Sequence, residues 1–199
     1  RNNGQKVGSS GDSGAVSTMD RKAQTPGGCG GVVFTRSEDR YRLVRAYADR
    51  GKPFWAENFN DKDPTTFLFP ALNLHIDEIS CAIGLKSLQA LDRVIEQRLA
   101  FLRALSASIG RHSQACTPSP VADADSPFFH PVFVDASKVS CSSKEFGWAV
   151  IEEGIDLNPH YDYVVGEWPW VRPYLADDFV CTNALECRNG SFNVVLNEK

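Results

Sequence analysis

The chain has no long apolar run, no C-x-x-C pair, no excess of basic charge and only one methionine. A membrane-spanning helix needs about 20 consecutive apolar residues, and nothing here approaches that. Twenty-one Lys and Arg against 25 Asp and Glu, scattered along the chain, give a net charge of −4 and no footprint for nucleic acid. Cys181 and Cys187, the nearest pair among six cysteines, lack a usual zinc spacing, and no pair of the four histidines has ligand spacing. No metal is expected. No signal-peptide pattern opens the chain, so the thiols are read as reduced and the protein as cytoplasmic. Internal repeats and low-complexity tracts are also missing.

What is present is an ordinary globular balance: 199 residues, 42% apolar and 23% charged, enough for one domain with a real core or two small ones. Residues 1–30 are rich in Gly and Ser and read as loop and site-lining backbone. Gly31–Thr35, β-branched and aromatic after glycines, reads as a short buried strand. Ser37–Asp49 follows as a helix, with Ser37 as its cap and Glu38 and Asp39 at its positive end. Arg50–Phe69, with Gly51, Pro53 and Pro64, reads as a long ordered loop.

Ile76–Ile109 carries the strongest helical signal, with Ile79, Ile83, Leu88, Leu91, Ile95, Leu99, Leu102 and Leu105 mostly three or four apart. Its length predicts a bend or break near Gly84. Residues 113–127 read as a Pro-rich connector, Phe128–Val134 as a strand, Ser142–Glu153 as an amphipathic helix and Ile155–Leu157 as a short strand. The stretch His160–Ala184 reads as irregular but packed, and Asn193–Lys199 as strand-like. Together these elements predict a mixed α/β fold.

The chemistry concentrates near the start. Lys22 follows Ser17 closely and precedes the Gly27–Gly31 cluster. A lysine amine forms a Schiff base with a carbonyl, while a hydroxyl beside open backbone N–H groups suits a phosphate. An aldehyde for Lys22 and a phosphate for Ser17 together suggest pyridoxal phosphate. From spacing alone, a surface lysine in a Gly-rich turn is the competing reading.

Three segments resemble the C-terminal half of the DegT/DnrJ/EryC1/StrS family of pyridoxal-phosphate-dependent sugar aminotransferases. The first runs from Gly11-Asp12-Ser13-Gly14-Ala15-Val16-Ser17 through Lys22 to Gly28-Cys29-Gly30-Gly31. Next comes Leu72-Asn73-Leu74-His75-Ile76-Asp77-Glu78-Ile79, continuing through Ala82-Ile83-Gly84. Gly154–Tyr174 is a weaker third. The resemblance implies a type I aminotransferase-like α/β fold, with residues 1–75 as the distal part of the cofactor-binding large domain. Residues 76–199 would be the small C-terminal α+β domain with its long linking helix, incomplete at its end.

The resemblance further implies that Lys22 holds pyridoxal phosphate and shuttles a proton, with Ser17 on the phosphate. Asn73 would reach the phosphate of a neighbouring subunit in a homodimer with shared sites; as a helix cap it has a structural role as well. His75 and His160 are candidates for touching substrate. The implied reaction moves an amino group, from glutamate, to a nucleotide-linked keto sugar in amino-sugar, antibiotic or polysaccharide biosynthesis.

Departures from the family pattern are specific. His75 replaces a common arginine, Cys29 an acidic residue, and Met19, Asp20 and Arg21 the usual aromatic and small residues before the lysine. Family dehydratases carry histidine in place of the lysine, so Lys22 argues for transamination. The family's pyridine-nitrogen carboxylate and ring-stacking aromatic lie upstream of the matching segments. Residues 1–199 alone are therefore expected to be inactive, with the first half supplied by the same protein or a second chain. A non-catalytic partner subunit is the alternative. His130 is expected as a satisfied core residue, and His112 at the end of the long helix.

Overall fold

The computed structural model describes residues 5–176 and 178–196. The chain divides into two compact units, Arg1–Asp92 and Arg93–Lys199. No helix among the described residues is long and apolar enough to cross a membrane.

The first unit opens with a β-hairpin. Strand β1 (Ser13–Ser17) pairs antiparallel with β2 (Gly31–Thr35), placing Ser17 opposite Gly31. β2 lies where the sequence predicts it, but Val32, Val33 and Phe34 are exposed, which corrects the expectation of a buried strand, and β1 corrects the expectation of loop throughout residues 1–30. Its side chains carry little strand signal. The ladder to β2 defines it, and Gly14 leaves room for the Phe34 ring, which a Cβ there would meet.

Helix α1 (Glu38–Ala48) begins as expected, with Ser37 Oγ accepting the Arg40 N–H at 3.3 Å. Beyond it the backbone turns left-handed at Arg50 (φ 56) and Gly51 (φ 78). Gly51 N–H donates to Ala46 O at 2.8 Å and closes the helix end. A Cβ at Gly51 would collide with the Phe69 carbonyl oxygen. Only glycine suits that crossing.

Helix α2 (Glu78–His112) starts in the first unit and ends in the second. No break occurs at Gly84: the helix continues without interruption through that residue. Gly84 instead faces Pro26, where an added Cβ would stand 3.6 Å from the proline Cβ. That is an ordinary van der Waals distance, so the packing there has room for a methyl group. The same contact region includes Gly27 against Ile83, and Thr25 N–H donating to Ser87 Oγ at 3.0 Å.

In the second unit β3 (Cys116–Pro118), β4 (Phe129–Val134), β5 (Leu157–Asn158) and β6 (Ser191–Val195) form one antiparallel sheet in the order β3-β4-β6-β5. Val132, Val134, Leu157, Phe192 and Val194 make its buried core, with Leu105 and Ile109 of α2 packed against them. Phe146, Val150 and Ile151 come from α3 (Ser143–Glu152), whose Ser142 and Glu145 form a reciprocal capping box. Two elements depart from expectation: β3 lies inside the predicted connector, and α4 (Thr182–Asn189) begins inside the predicted irregular stretch. α4 has neither a side-chain N-cap bond nor a buried residue, so it left no helical signature. Of the expected terminal strand, residues 197–199 lie outside the described residues.

His130 is buried on β4 as expected, but its Nε2 has no hydrogen-bond partner, which corrects the expectation of a satisfied side chain. Burial pushes its pKa down. His112 ends α2 as expected.

Candidate functional site

The turn after β1 carries the candidate lysine. Ser17 is the last residue of β1, and its Oγ accepts the Met19 N–H at 3.4 Å. Thr18 is buried and donates its N–H to Gly30 O at 3.0 Å, closing the neck of the hairpin. Lys22 follows in a turn held by its own N–H to Met19 O at 2.9 Å, and is half-buried. Thus Ser17 and Lys22 share one connection, anchored at both ends by the β1–β2 ladder.

Gly30 sets the next contact. A Cβ there would stand 2.9 Å from Thr18 Oγ1 and 3.2 Å from Ile76 Cδ1, so the neck of the hairpin meets the residue just after His75. Segment 72–75 is itself tied to the end of α1. Arg50 N–H donates to Leu72 O at 3.0 Å, Leu74 N–H donates to Ala48 O at 2.8 Å, and Asp49 and Asn73 form an antiparallel bridge. Within the first unit, the fold therefore brings the lysine-bearing hairpin and the Asn73–His75 segment against a common neighbour, Ile76.

Asn73 and Ser17 use their polar atoms alike. Asn73 Oδ1 accepts the His75 N–H at 3.3 Å, while Nδ2 of this exposed side chain serves as a donor. Likewise Ser17 Oγ accepts a backbone N–H two residues on and keeps its proton to give. Two outward donors suit an anion.

Asp49 is the residue the sequence reading missed. It is buried, and its Oδ1 accepts a hydrogen bond from Arg50 Nε at 2.6 Å. Lys52 Nζ lies 3.1 Å and His75 Nε2 2.9 Å from Oδ2. Burial pushes the Asp49 carboxyl up, but the Arg50 hydrogen bond, the Lys52 ammonium in ion-pair contact and the charge of His75 outweigh it, lowering the pKa to about 2. Lys52 is buried too, with its ammonium 5.8 Å from the Phe54 ring centroid and 6.0 Å from that of Phe67. The readable signal was a mismatch: an acid at a helix C-terminus faces the negative end of the dipole and needs a reason to be there.

His160 belongs to the second unit, where its N–H donates to Asn158 Oδ1 at 3.0 Å and its Nε2 lies 3.6 Å from Asp162 Oδ1. Cys29 is an exposed thiol. Among the described residues no group of three or more His, Cys, Asp or Glu could hold a metal ion.

A model of the DegT/DnrJ/EryC1/StrS aminotransferase family matches residues 1–189. The chain belongs to that family. Solved structures agree on the fold. An aminotransferase from Psychrobacter cryohalolentis is 21% identical, with a TM-score of 0.80 over 98% of this chain and 53% of its own. Helicobacter pylori PseC, an aminotransferase of pseudoaminic acid biosynthesis, is 16% identical, with a TM-score of 0.79 over 98% and 50%. The E. coli GDP-4-keto-6-deoxy-D-mannose-3-dehydratase with bound hydrated PLP is 18% identical, with a TM-score of 0.75 over 99% and 53%. No match is found among curated protein sequences. The chain spans about half the length of these structures.

The fold is that of the pyridoxal-phosphate-dependent aminotransferases, and pyridoxal phosphate is the cofactor that membership implies. The residues present fit it. Lys22 offers a primary amine, and Ser17 and Asn73 each offer a donor while their oxygen accepts one backbone N–H.

Proposed function

We propose that the protein is an aminotransferase that moves an amino group from glutamate to a nucleotide-linked keto sugar. Carrying this reading is the pairing, in an aminotransferase family, of Lys22 in the hairpin turn with Ser17 at its base. Residues 1–75 would be the distal part of the large domain, and residues 76–199 the small domain with its linking helix. The working protein would be a cytoplasmic homodimer with shared sites.

When bound, pyridoxal phosphate supplies an aldehyde to capture amines and a conjugated ring to stabilise charge at the substrate carbon. Lys22 Nζ would anchor the cofactor and, once displaced by the incoming amine, act as the base that takes the proton from that carbon. Ser17 Oγ–H and Asn73 Nδ2–H would hold the phosphate, Asn73 from the neighbouring subunit. His75 and His160 would contact the sugar substrate. A sugar dehydratase gains weight from the dehydratase neighbour, and Lys22 opposes it.

Borohydride reduction of the full-length native protein with pyridoxal phosphate, followed by peptide mass mapping, tests the site. The expected result is a single reduced adduct on Lys22. Reduction that leaves Lys22 unmodified in a folded protein would remove the aminotransferase reading and leave a non-catalytic subunit. A deoxysugar product, without an amino sugar, would favour the dehydratase.

A further inference from the structure

We propose that Ser87 of α2 is a positioning residue for Lys22: its hydroxyl fixes the far side of the connection between β1 and β2, so that the span carrying the lysine amine is short and closed at both ends. The inference rests on the reading of Lys22 as the cofactor lysine.

Residues 18–30 are too many for the ladder alone to hold in place, since tight hairpins close with far shorter loops. On the near side of the lysine, the Thr18–Gly30 bond closes the neck and the Lys22 N–H closes a turn on Met19 O. On the far side the anchor is α2. The Thr25 N–H donates to Ser87 Oγ at 3.0 Å across 62 positions of chain. Only Ala23 and Gln24 then separate Lys22 from an anchored residue.

The seat on α2 continues past Thr25. Thr25 Oγ1 accepts the Gly27 N–H at 3.1 Å and closes a small turn around the buried Pro26. Pro26 lies between the hairpin neck and the helix: a Cβ added at Gly30 would stand 3.3 Å from its Cγ, and one at Gly84 3.6 Å from its Cβ. Gly27 takes the left-handed backbone (φ 81), where a Cβ would meet Ile83 Cδ1 at 3.3 Å. Ile83 and Ser87 are one helical turn apart and share a face of α2. Apolar contact at Pro26 and Gly27 brings the loop to that face without fixing its direction, and the Ser87 hydrogen bond supplies the direction. Ser17 is insulated from this contact, because it stands in the ladder opposite Gly31. A change at Ser87 therefore reaches the lysine and not the phosphate hydroxyl.

The test compares the full-length parent with two variants. Ser87→Ala should weaken the apparent affinity for pyridoxal phosphate about fivefold, the worth of one neutral hydrogen bond. Ser87→Thr keeps the hydroxyl and should recover most of that loss. Pyridoxamine phosphate has the same ring and phosphate but no aldehyde for Lys22, so S87A should bind it within about twofold of the parent. Equal losses for both compounds would show that Ser87 acts through general folding, and would overturn the proposal. A loss in S87T as large as in S87A would overturn it as well.

The cofactor-free protein gives a second readout. Hydrogen exchange at the Thr25 amide should be at least about fivefold faster in S87A, since the bond that protects it is gone. An unchanged rate would overturn the positioning role alone and leave Lys22 as the cofactor lysine. A full-length parent that gives no reduced adduct on Lys22 would overturn the reading of the site and the positioning role with it.

Discussion

Gly147, within α3, lies against Pro159 so closely that a Cβ on the glycine would stand 2.9 Å from both the Pro159 Cα and Cβ. A third neighbour, Phe192 Cβ, would be 3.3 Å away. Helix and sheet of the second unit therefore approach at a position where neither the backbone nor the proline ring can yield.

Gly147→Ala reverses a familiar rule. Alanine normally gains about 1 kcal/mol over glycine inside a helix. Here overpacking costs on the order of 1–3 kcal/mol and outweighs that gain. Urea unfolding followed by far-UV circular dichroism should show a net loss of up to about 2 kcal/mol. An unchanged or raised midpoint would contradict the tight approach.

Asn73 can be split into its two roles. Asn73→Asp keeps the oxygen that accepts the His75 N–H, but replaces the Nδ2 donor by negative charge. If Asn73 only shapes the turn, the variant should bind pyridoxal phosphate like the parent. As a phosphate ligand it should lose at least about tenfold, the worth of one hydrogen bond to a charged group, and more than Asn73→Ala loses. Cofactor titration of the two variants separates these outcomes.

Two residues give stability two separate pH windows. The His130 pKa is lowered by burial from 6.5, so the unfolded chain binds its proton first. Its contribution is full above about 6.5 and is lost as pH falls toward the depressed folded value. Asp49 works in the acid range: its stabilisation is present above 3.8 and disappears as pH falls toward about 2. Urea midpoints measured against pH should decline in both windows. His130→Leu should flatten the upper decline alone; a variant that tracks the parent there would remove His130 as its source.

The capping box at α3 offers a local check. Ser142 Oγ accepts the Glu145 N–H at 3.2 Å, while Glu145 Oε2 accepts the Ser142 N–H at 2.8 Å. Ser142→Ala should cost about 1 kcal/mol. Ser142→Thr should recover most of it. Equal losses in both variants would point away from capping.

Elements with a periodic signal or a capping residue were legible from sequence: β2, α1, α3 and most of α2 stand close to where pattern and caps put them. β1, β3 and α4 were not, for physical reasons. β1 exists because β2 pairs with it, β3 because β4 does, and α4 has no buried side chain to mark a face. The site divides the same way. Lys22, Ser17 and Asn73 stood out because their chemistry is tied to short motifs. Asp49 did not: Lys52 lies only three residues on, but His75 comes beside it from a distant segment that sequence spacing does not describe.

Strand β6 lies between β4 and β5 and is hydrogen-bonded to both. In the order of synthesis it comes last of the three. Until Phe192 and Val194 emerge, Val132 and Leu157 belong to strands with no shared neighbour, and the sheet cannot grow beyond the β3–β4 pair. On the ribosome this half must wait as loosely collapsed chain and then close in a single cooperative step, with long-range pairings setting a slow pace. A stall upstream of residue 191 would leave β4 with an apolar, unpaired edge, the state in which a chaperone would find it.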